Sequence, residues 1–221
     1  MKVLLVNGSP HKNDCTYTAL RAVGDSLERN GVGTELFWIG TKPIGGCIGC
    51  HQCAKRNQCV FEDKVNEFLA IAGDYDGYVF GTPVHWGAAA GNMTSFLDRV
   101  FYADLNAGGD RFRLKPAAAV VSARRAGTTA TWDQINKYFA LMQMPIISSR
   151  YWTAVHGAAP EQVLEDKEGG TRTGGIYQLH PLKTRDQEVF PWNTLLCPTA
   201  SRCPSWATAS TRSPTRNAPA A

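Results

Sequence analysis

Hydrophobic positions along this chain fall into short apolar runs that alternate with stretches carrying a helical stripe. Lys2-Val-Leu-Leu-Val6 is a β-rich run whose composition suits a strand buried on both faces of a parallel sheet. It gives way to Asn7-Gly-Ser-Pro-His-Lys-Asn-Asp-Cys-Thr16, dense in turn formers and hydrogen-bonding side chains. Ala19, Leu20, Val23 and Leu27 then share one helical face, with Asn30-Gly31 as its C-terminal stop. Residues 34–39 alternate as a second strand. A cysteine-rich loop covers 43–63, and Asp63 caps a short helix with Val65, Phe68, Leu69 and Ala72 on its apolar face. Residues 76–81 read as a third strand running into Thr82-Pro-Val-His-Trp-Gly87. Met93, Phe96, Leu97, Val100 and Phe101 recur at the i, i+3, i+4, i+7, i+8 spacing of an amphipathic helix. A fourth strand covers 116–122, and Trp132, Ile135, Phe139 and Met142 mark a further helix. Residues 145–152 form the expected fifth strand.

Strands alternating with helices imply a parallel sheet covered on both faces, with ligands at the carboxyl ends of its strands. Three loops fall at that edge: 7–16, 82–87 and 122–127. The first joins a strand to a helix N-terminus, where free backbone N–H groups and the helix dipole favour an anion. It carries neither the G-x-x-x-x-G-K-[ST] of a triphosphate loop nor the G-x-G-x-x-G of a dinucleotide fold. Ser9, Asn13, Thr16 and the local N–H groups could hold one terminal phosphate, which points to a mononucleotide. An ordinary strand–helix turn is the alternative.

Composition changes the picture in two places. The chain has 221 residues, enough for one domain with a full core, and 43% are hydrophobic. No run of eighteen apolar residues suggests a membrane span, and the N-terminus enters a strand directly, so a cytoplasmic protein without a signal peptide is expected. The formal charge of +4 comes from the C-terminal part alone, where residues 169–221 hold six basic and two acidic residues. Residues 1–168 are balanced, which argues against a nucleic-acid groove. Half of the twelve prolines also lie beyond Gly169, and no helical stripe is read there. The expected domain is therefore 1–168, with 169–221 an atypical tail. A shifted reading frame and a natural disordered tail both account for it.

Four of the seven cysteines lie within the thirteen residues Cys47-Ile-Gly-Cys50-His-Gln-Cys53-Ala-Lys-Arg-Asn-Gln-Cys59. In a reducing compartment such crowding fits a metal or redox site better than disulfides. The C-x2-C-x2-C spacing lets three thiolates face one cubane cluster, with the fourth reaching it across a five-residue span. Val60 stands where the bacterial ferredoxin run has proline, and zinc generally takes two separated cysteine pairs. A cluster, zinc and empty thiols all stay open. A further alternative is the stretch from Cys15 to Arg21, which fits the C-x5-R of a phosphatase loop. There, however, Arg21 falls inside the helix and the turn precedes the cysteine.

The three loops, together with Phe96-Leu-Asp-Arg99, resemble those of the flavodoxin-like NAD(P)H-dependent FMN reductases over about residues 1–168. The cysteine run makes the chain most similar to the iron–sulfur flavoproteins within that group. The resemblance implies a doubly wound five-stranded parallel sheet, order 2-1-3-4-5, with the cysteine-rich loop after strand 2. It implies FMN, with Ser9, His11, Asn13, Cys15, Thr16 and Tyr17 around phosphate and ribityl. Pro83, Val84, His85, Trp86 and Gly87 would line the ring, with Ser122, Arg124, Arg125 and Gly127 beside it. Cys47, Cys50, Cys53 and Cys59 would hold a 4Fe–4S cluster. The implied activity is electron transfer from NAD(P)H or another donor, through FMN, to a small-molecule or protein acceptor. Such chemistry needs placement of the flavin rather than an acid–base pair, so no catalytic dyad is expected. A homodimer or higher homo-oligomer is implied, with no nucleic acid or membrane partner. A flavodoxin-type electron carrier is the alternative function. The chain departs from the family at Asp14, where a small residue is common, and near Thr94, where a lysine is common.

Overall fold

The computed structural model describes residues 1–174. The first strand is β1 (Lys2–Asn7), whose last five residues are all buried. β1 pairs in parallel with β2 (Gly33–Trp38) on one side and β3 (Gly77–His85) on the other. β5 (Ala117–Ala123) and β6 (Ala154–His156) complete the parallel order β2-β1-β3-β5-β6. Counting parallel strands alone, this is the 2-1-3-4-5 order expected from the sequence. The added strand is β4 (Ala88–Ala89), two residues antiparallel to the end of β3.

Helices cover both faces, as a sheet with buried strands on both sides requires. On one face α3 (Lys64–Ala72), α4 (Gly91–Asn106) and α5 (Thr128–Leu141) bury an aromatic core of Phe68, Tyr78, Phe80, Phe96, Phe101, Phe112 and Phe139. Phe68 stands at its middle, edge-on to Phe96 with ring centroids 5.1 Å apart and stacked on Phe112 at 6.1 Å. On the other face α1 (Cys15–Arg29) buries Ala19, Leu20, Val23 and Leu27 against Val3, Leu5, Val79 and Val120. That is the stripe its sequence announces. The cysteine-rich segment contains one short helix, α2 (Cys53–Arg56). Asp63 caps α3, its carboxylate accepting from the Val65 N–H at 3.1 Å. Among the described residues no helix is long and apolar enough to cross a membrane.

Three boundaries differ from the sequence expectation. β3 continues past Gly81 through Pro83, which pairs with Ser122. Beyond Gly81 β1 no longer runs alongside, so β3 has a free side there and a residue without an N–H is tolerated. The fifth strand is split. Ile146 bridges Ala117 and the Ile147 N–H donates to Ala117, then residues 148–152 leave the sheet. Both Ser148 and Ser149 turn their hydroxyls onto the Tyr151 carbonyl, and pairing resumes only at Thr153 and β6. Serine hydroxyls competing for backbone carbonyls are what the apolar count of 145–152 does not register. Finally, α6 (Pro160–Glu165) and α7 (Lys167–Gly174) follow β6, so a helix crosses the tail boundary placed at Gly169. Asp166 starts α7, accepting from the Gly169 N–H at 2.9 Å and the His156 N–H at 2.8 Å. Partial burial would raise its pKa, but those two N–H bonds and His156 hold it below the usual aspartate value. The rest of the expected tail, 175–221, lies outside the described residues.

A single added methyl group should have opposite effects at two glycines. A Cβ on Gly81 would come within 2.8 Å of Leu20 and 3.0 Å of Thr16, where β3 meets α1 beneath the first loop. Gly81→Ala is expected to lower stability by about 1–3 kcal/mol through overpacking. A Cβ on Gly91 meets nothing within 4 Å at the first position of α4. Gly91→Ala is expected to add ~0.4–1 kcal/mol by restricting the unfolded chain. Urea unfolding midpoints of the two variants against wild type check the pair.

Candidate functional site

The carboxyl edge of the sheet is organised by Asn7, buried at the end of β1. Its amide oxygen accepts from the Ser9 N–H at 2.9 Å and its amide nitrogen donates to the Lys12 carbonyl at 3.1 Å, folding the first loop back on itself. Ser9 Oγ accepts from the His11 N–H at 3.1 Å, and Trp38 at the end of β2 donates its ring N–H to the Ser9 carbonyl at 2.8 Å. Asp14 caps α1 by accepting from the Cys15 N–H at 2.8 Å. Its carboxylate is thereby engaged with the positive end of the helix, which accounts for an acidic residue where the resembling proteins often have a small one. The Thr16 and Ser122 hydroxyls, both buried, lie 2.7 Å apart and tie the first loop to the third.

These ties leave a cleft of about 350 Å³ along the strand ends. Its walls include Ser9, His11, Cys15 and Thr16 from the first loop, Pro83, Val84 and His85 from the end of β3, and Ser122 and Arg124 from the end of β5. All nine were singled out from the sequence. Asp14 and Ala123 complete the same loops. Gly157 and Ala158, after β6, also line it, and Cys15 Sγ lies 3.6 Å from the Gly157 carbonyl. Sequence reasoning missed this fourth loop because it misplaced the end of the last strand. It missed Asn7 as the organiser too, although an asparagine directly after a buried strand is the signal for such a turn.

Asn13, Tyr17, Trp86, Gly87, Arg125 and Gly127 stand outside those walls. Trp86 and Gly87 form the two-residue turn of the β3–β4 hairpin, with φ of 50° and 77°. Positive φ at both central positions is the geometry of a type I′ turn, which glycine tolerates and tryptophan strains to reach. The Trp86 side chain is fully exposed at this tip. Gly127, at φ 95°, precedes α5, and a Cβ there would lie 2.9 Å from Val84 and 3.0 Å from the Gly87 Cα. Glycine at 127 thus lets the second and third loops close on each other.

The phosphatase alternative does not survive this geometry. Burial and the neighbouring Asp14 push the Cys15 thiol up to about 11, the opposite of an activated nucleophile. Arg21 is turned along α1 to Asp25 at 2.8 Å.

The four clustered cysteines meet elsewhere. Cys47, Cys50, Cys53 and Cys59 line one cavity with His51, Val60, Phe61, Arg99 and Tyr102. All four are free thiols. Among the described residues no three His, Cys, Asp or Glu side chains are gathered around a single-ion position. On a cubane each thiolate binds its own iron, so four thiols spread around a shared cavity suit that donor set. The segment carrying them is pinned to α4 at both ends. Near its start, Asn92 accepts from the Ile44 N–H and donates to the Lys42 carbonyl, both at 3.1 Å. Near its end, Arg99, only 2% exposed, forks onto Asp63 at 2.6 and 3.0 Å and donates Nε–H to Cys59 Sγ at 3.2 Å. Burial alone would lower the guanidinium pKa, but the Asp63 and Cys59 bonds hold it above the usual arginine value. Asn66 in α3 grips the Cys59 backbone from both sides, accepting from its N–H at 2.8 Å and donating to its carbonyl at 3.0 Å.

The chain is similar to several known proteins. An iron–sulfur flavoprotein of Methanocaldococcus jannaschii is 29% identical over 158 residues, covering 71% of this chain and 81% of its own. An iron–sulfur flavoprotein of Methanosarcina thermophila is 21% identical over 66% of this chain and 77% of its own. Among solved structures, RosB with its bound intermediate 8-demethyl-8-formylriboflavin-5'-phosphate superposes with a TM-score of 0.63 at 11% identity, covering 100% of this chain and 93% of its own. An NADH:FMN oxidoreductase in its apo form superposes with a TM-score of 0.57 at 14% identity, over 80% of this chain and 86% of its own. At such identities the two structures speak for the fold alone. The family model described as NADPH-dependent FMN reductase matches residues 1–159, and the chain belongs to that flavoprotein oxidoreductase family.

Proposed function

We propose that this protein is an FMN-dependent oxidoreductase that takes electrons from NAD(P)H or another donor and passes them to an acceptor, and that it carries a 4Fe–4S cluster. The observation that carries the reading is the cleft at the strand ends, where three loops singled out from the sequence are bonded into one wall. The names of the curated relatives support the iron–sulfur part.

The FMN phosphate is assigned to the first loop and the start of α1. Helix N-termini leave their first N–H groups without intrahelical acceptors. In α1 Asp14 takes that of Cys15, leaving those of Thr16 and Tyr17 for an anion. Ser9 and Thr16 add hydroxyls at the same cleft, and the helix dipole adds partial positive charge. Pro83 and Val84 offer an apolar wall to a ring, and Pro83 holds its φ fixed. Cys47, Cys50, Cys53 and Cys59 are assigned as the cluster ligands. When bound, FMN would supply two-electron chemistry toward a nicotinamide and one-electron chemistry toward an acceptor, and a cluster on the cysteines would supply one-electron chemistry. The protein's part is to hold phosphate and ring in place, to keep the cysteine sulfurs around one cavity, and to leave the exposed edge of the cleft open to donor and acceptor.

Purified protein is expected to bind about one FMN per chain and to discriminate against FAD, because the loop has no dinucleotide fingerprint. Ser9→Ala and Thr16→Ala should each remove a bond to a charged group and weaken FMN by roughly 1.5–3 kcal/mol, about ten- to a hundredfold in Kd. Quenching of flavin fluorescence on titration reads both, and equal affinity for FMN and FAD would count against the phosphate assignment.

For the cysteines, anaerobic reconstitution should load about four iron atoms per chain. Cys50→Ala should lose the cluster absorbance while FMN stays bound. Stoichiometric zinc without iron in the anaerobically prepared protein would overturn the cluster assignment. Anaerobic mixing with NADPH, followed by the loss of flavin absorbance, tests the donor.

A further inference from the structure

Arg99 is the largest side chain fully buried among the described residues, and its donors are divided unevenly. The two terminal nitrogens face the Asp63 carboxylate at 2.6 and 3.0 Å, with the Gly45 and Phe61 carbonyls at 3.4 Å. The Phe61 ring lies 4.9 Å from the guanidinium carbon. The remaining donor, Nε–H, meets no oxygen and points at Cys59 Sγ at 3.2 Å. A neutral thiol is a weak acceptor, so burying the fifth N–H of an arginine against sulfur is a poor use of it. A cysteine that serves as a cluster ligand is a thiolate, and the same contact then becomes a charge-assisted hydrogen bond. With Asn66 holding the Cys59 backbone on both sides, sulfur and main chain are gripped together. Cys47 and Cys50, by contrast, are exposed on their loop.

We propose that Arg99 is a positioning residue for the cluster: it presents Cys59 Sγ as the fourth ligand and, through its N–H···S bond, holds the cluster's reduction potential up. The inference rests on the cluster assignment of the cysteine cavity. One-electron reduction adds one negative charge to the cluster; no bond forms or breaks and no proton moves. Hydrogen bonds to cluster sulfurs stabilise the more negative state. The Arg99–Asp63 pair is neutral as a whole, but its cationic partner faces the sulfur and its anionic partner lies on the far side of the guanidinium. The remaining field at the sulfur is that of a dipole with its positive end toward the cluster.

Two variants test this, each with dithionite as the electron source and the EPR signal of the reduced cluster as readout. Arg99→Lys keeps the charge but, lacking the planar fork, cannot serve Asp63 and Cys59 together. Arg99→Gln with Asp63→Asn removes both charges at once, so no lone buried ion is left, and asparagine still caps α3. With both variants folded by circular dichroism, the double variant is expected to lower the reduction equilibrium constant at least tenfold. That is about 59 mV for one electron. Arg99→Lys should fall between it and wild type. Loss of iron from a folded double variant, with iron kept in Arg99→Lys, would equally support the presenting role. Full iron and a wild-type midpoint in both variants would overturn the proposal, and Arg99→Lys decides the matter if the double variant does not fold. Wild-type protein that takes up no iron would bring down the cluster assignment itself, a different result from an unshifted midpoint.

Discussion

The pair between buried Arg99 and half-buried Asp63 is the contact on which the arrangement of this molecule turns. Asp63 does two jobs with one carboxylate. It caps α3 through the Val65 N–H and receives both terminal nitrogens of Arg99 from α4. The aromatic core lies between the same two helices and the sheet, so the pair also fixes how Phe68 meets Phe96. Forming such a pair is not in itself strongly stabilising, because Arg99 must be stripped of water and Asp63 of part of its own. Removing one partner is another matter. Removing Asp63 would leave the Arg99 charge uncompensated in the interior, typically a loss of about 3–5 kcal/mol, whereas Asp63 left alone would still meet water. The pair therefore acts as a constraint on where α3, α4 and the cysteine segment sit, rather than as a source of net stability.

One helix connects the two candidate centres. α4 starts directly after the β3–β4 hairpin, whose first strand lines the cleft through Pro83, Val84 and His85. Asn92 in its first turn holds the entrance of the cysteine segment, and Arg99, two turns on, holds its exit. At 1.5 Å per residue the seven steps between them span roughly 10 Å. A packed helix of this kind transmits position without a dedicated hinge. The cysteine segment is irregular for most of its length, and hydrogen bonds from regular elements take the place of secondary structure in locating it.

At the strand ends the same principle operates with smaller groups. Three loops have to approach closely enough to make one wall, and small residues and hydroxyls permit it. The Thr16–Ser122 bond joins the first loop to the third, and Gly127 leaves room for Val84 and Gly87. The exposed, positive-φ Trp86 at the hairpin tip is the strained element of this edge, and strain of that sort collects at functional sites.

Much of this was written into the order of residues. Apolar runs such as 3–6 and stripes such as Ala19, Leu20, Val23 and Leu27 depend only on local period, so the alternation of strands and helices, and with it the parallel sheet, could be read directly. The same holds for Asp63 as a cap and for the crowding of four cysteines, since capping and ligand spacing are short-range properties. What stayed hidden depends on partners far along the chain. Residues 145–152 have a strand's composition, yet only Pro145 and Ile147 bond to the sheet there, on either side of the Ile146 bridge, because Ser148 and Ser149 capture the Tyr151 carbonyl. Gly157 and Ala158 reach the cleft only through the resulting shift of β6. Arg99 was legible as part of a family-like Phe-Leu-Asp-Arg run, but not as a donor to a sulfur forty residues earlier. Sequence determined the elements and the chemistry that they carry, because those follow from neighbours within a turn or a strand. Tertiary structure decided which donors meet, because a hydrogen bond between distant residues exists only once packing has set their separation.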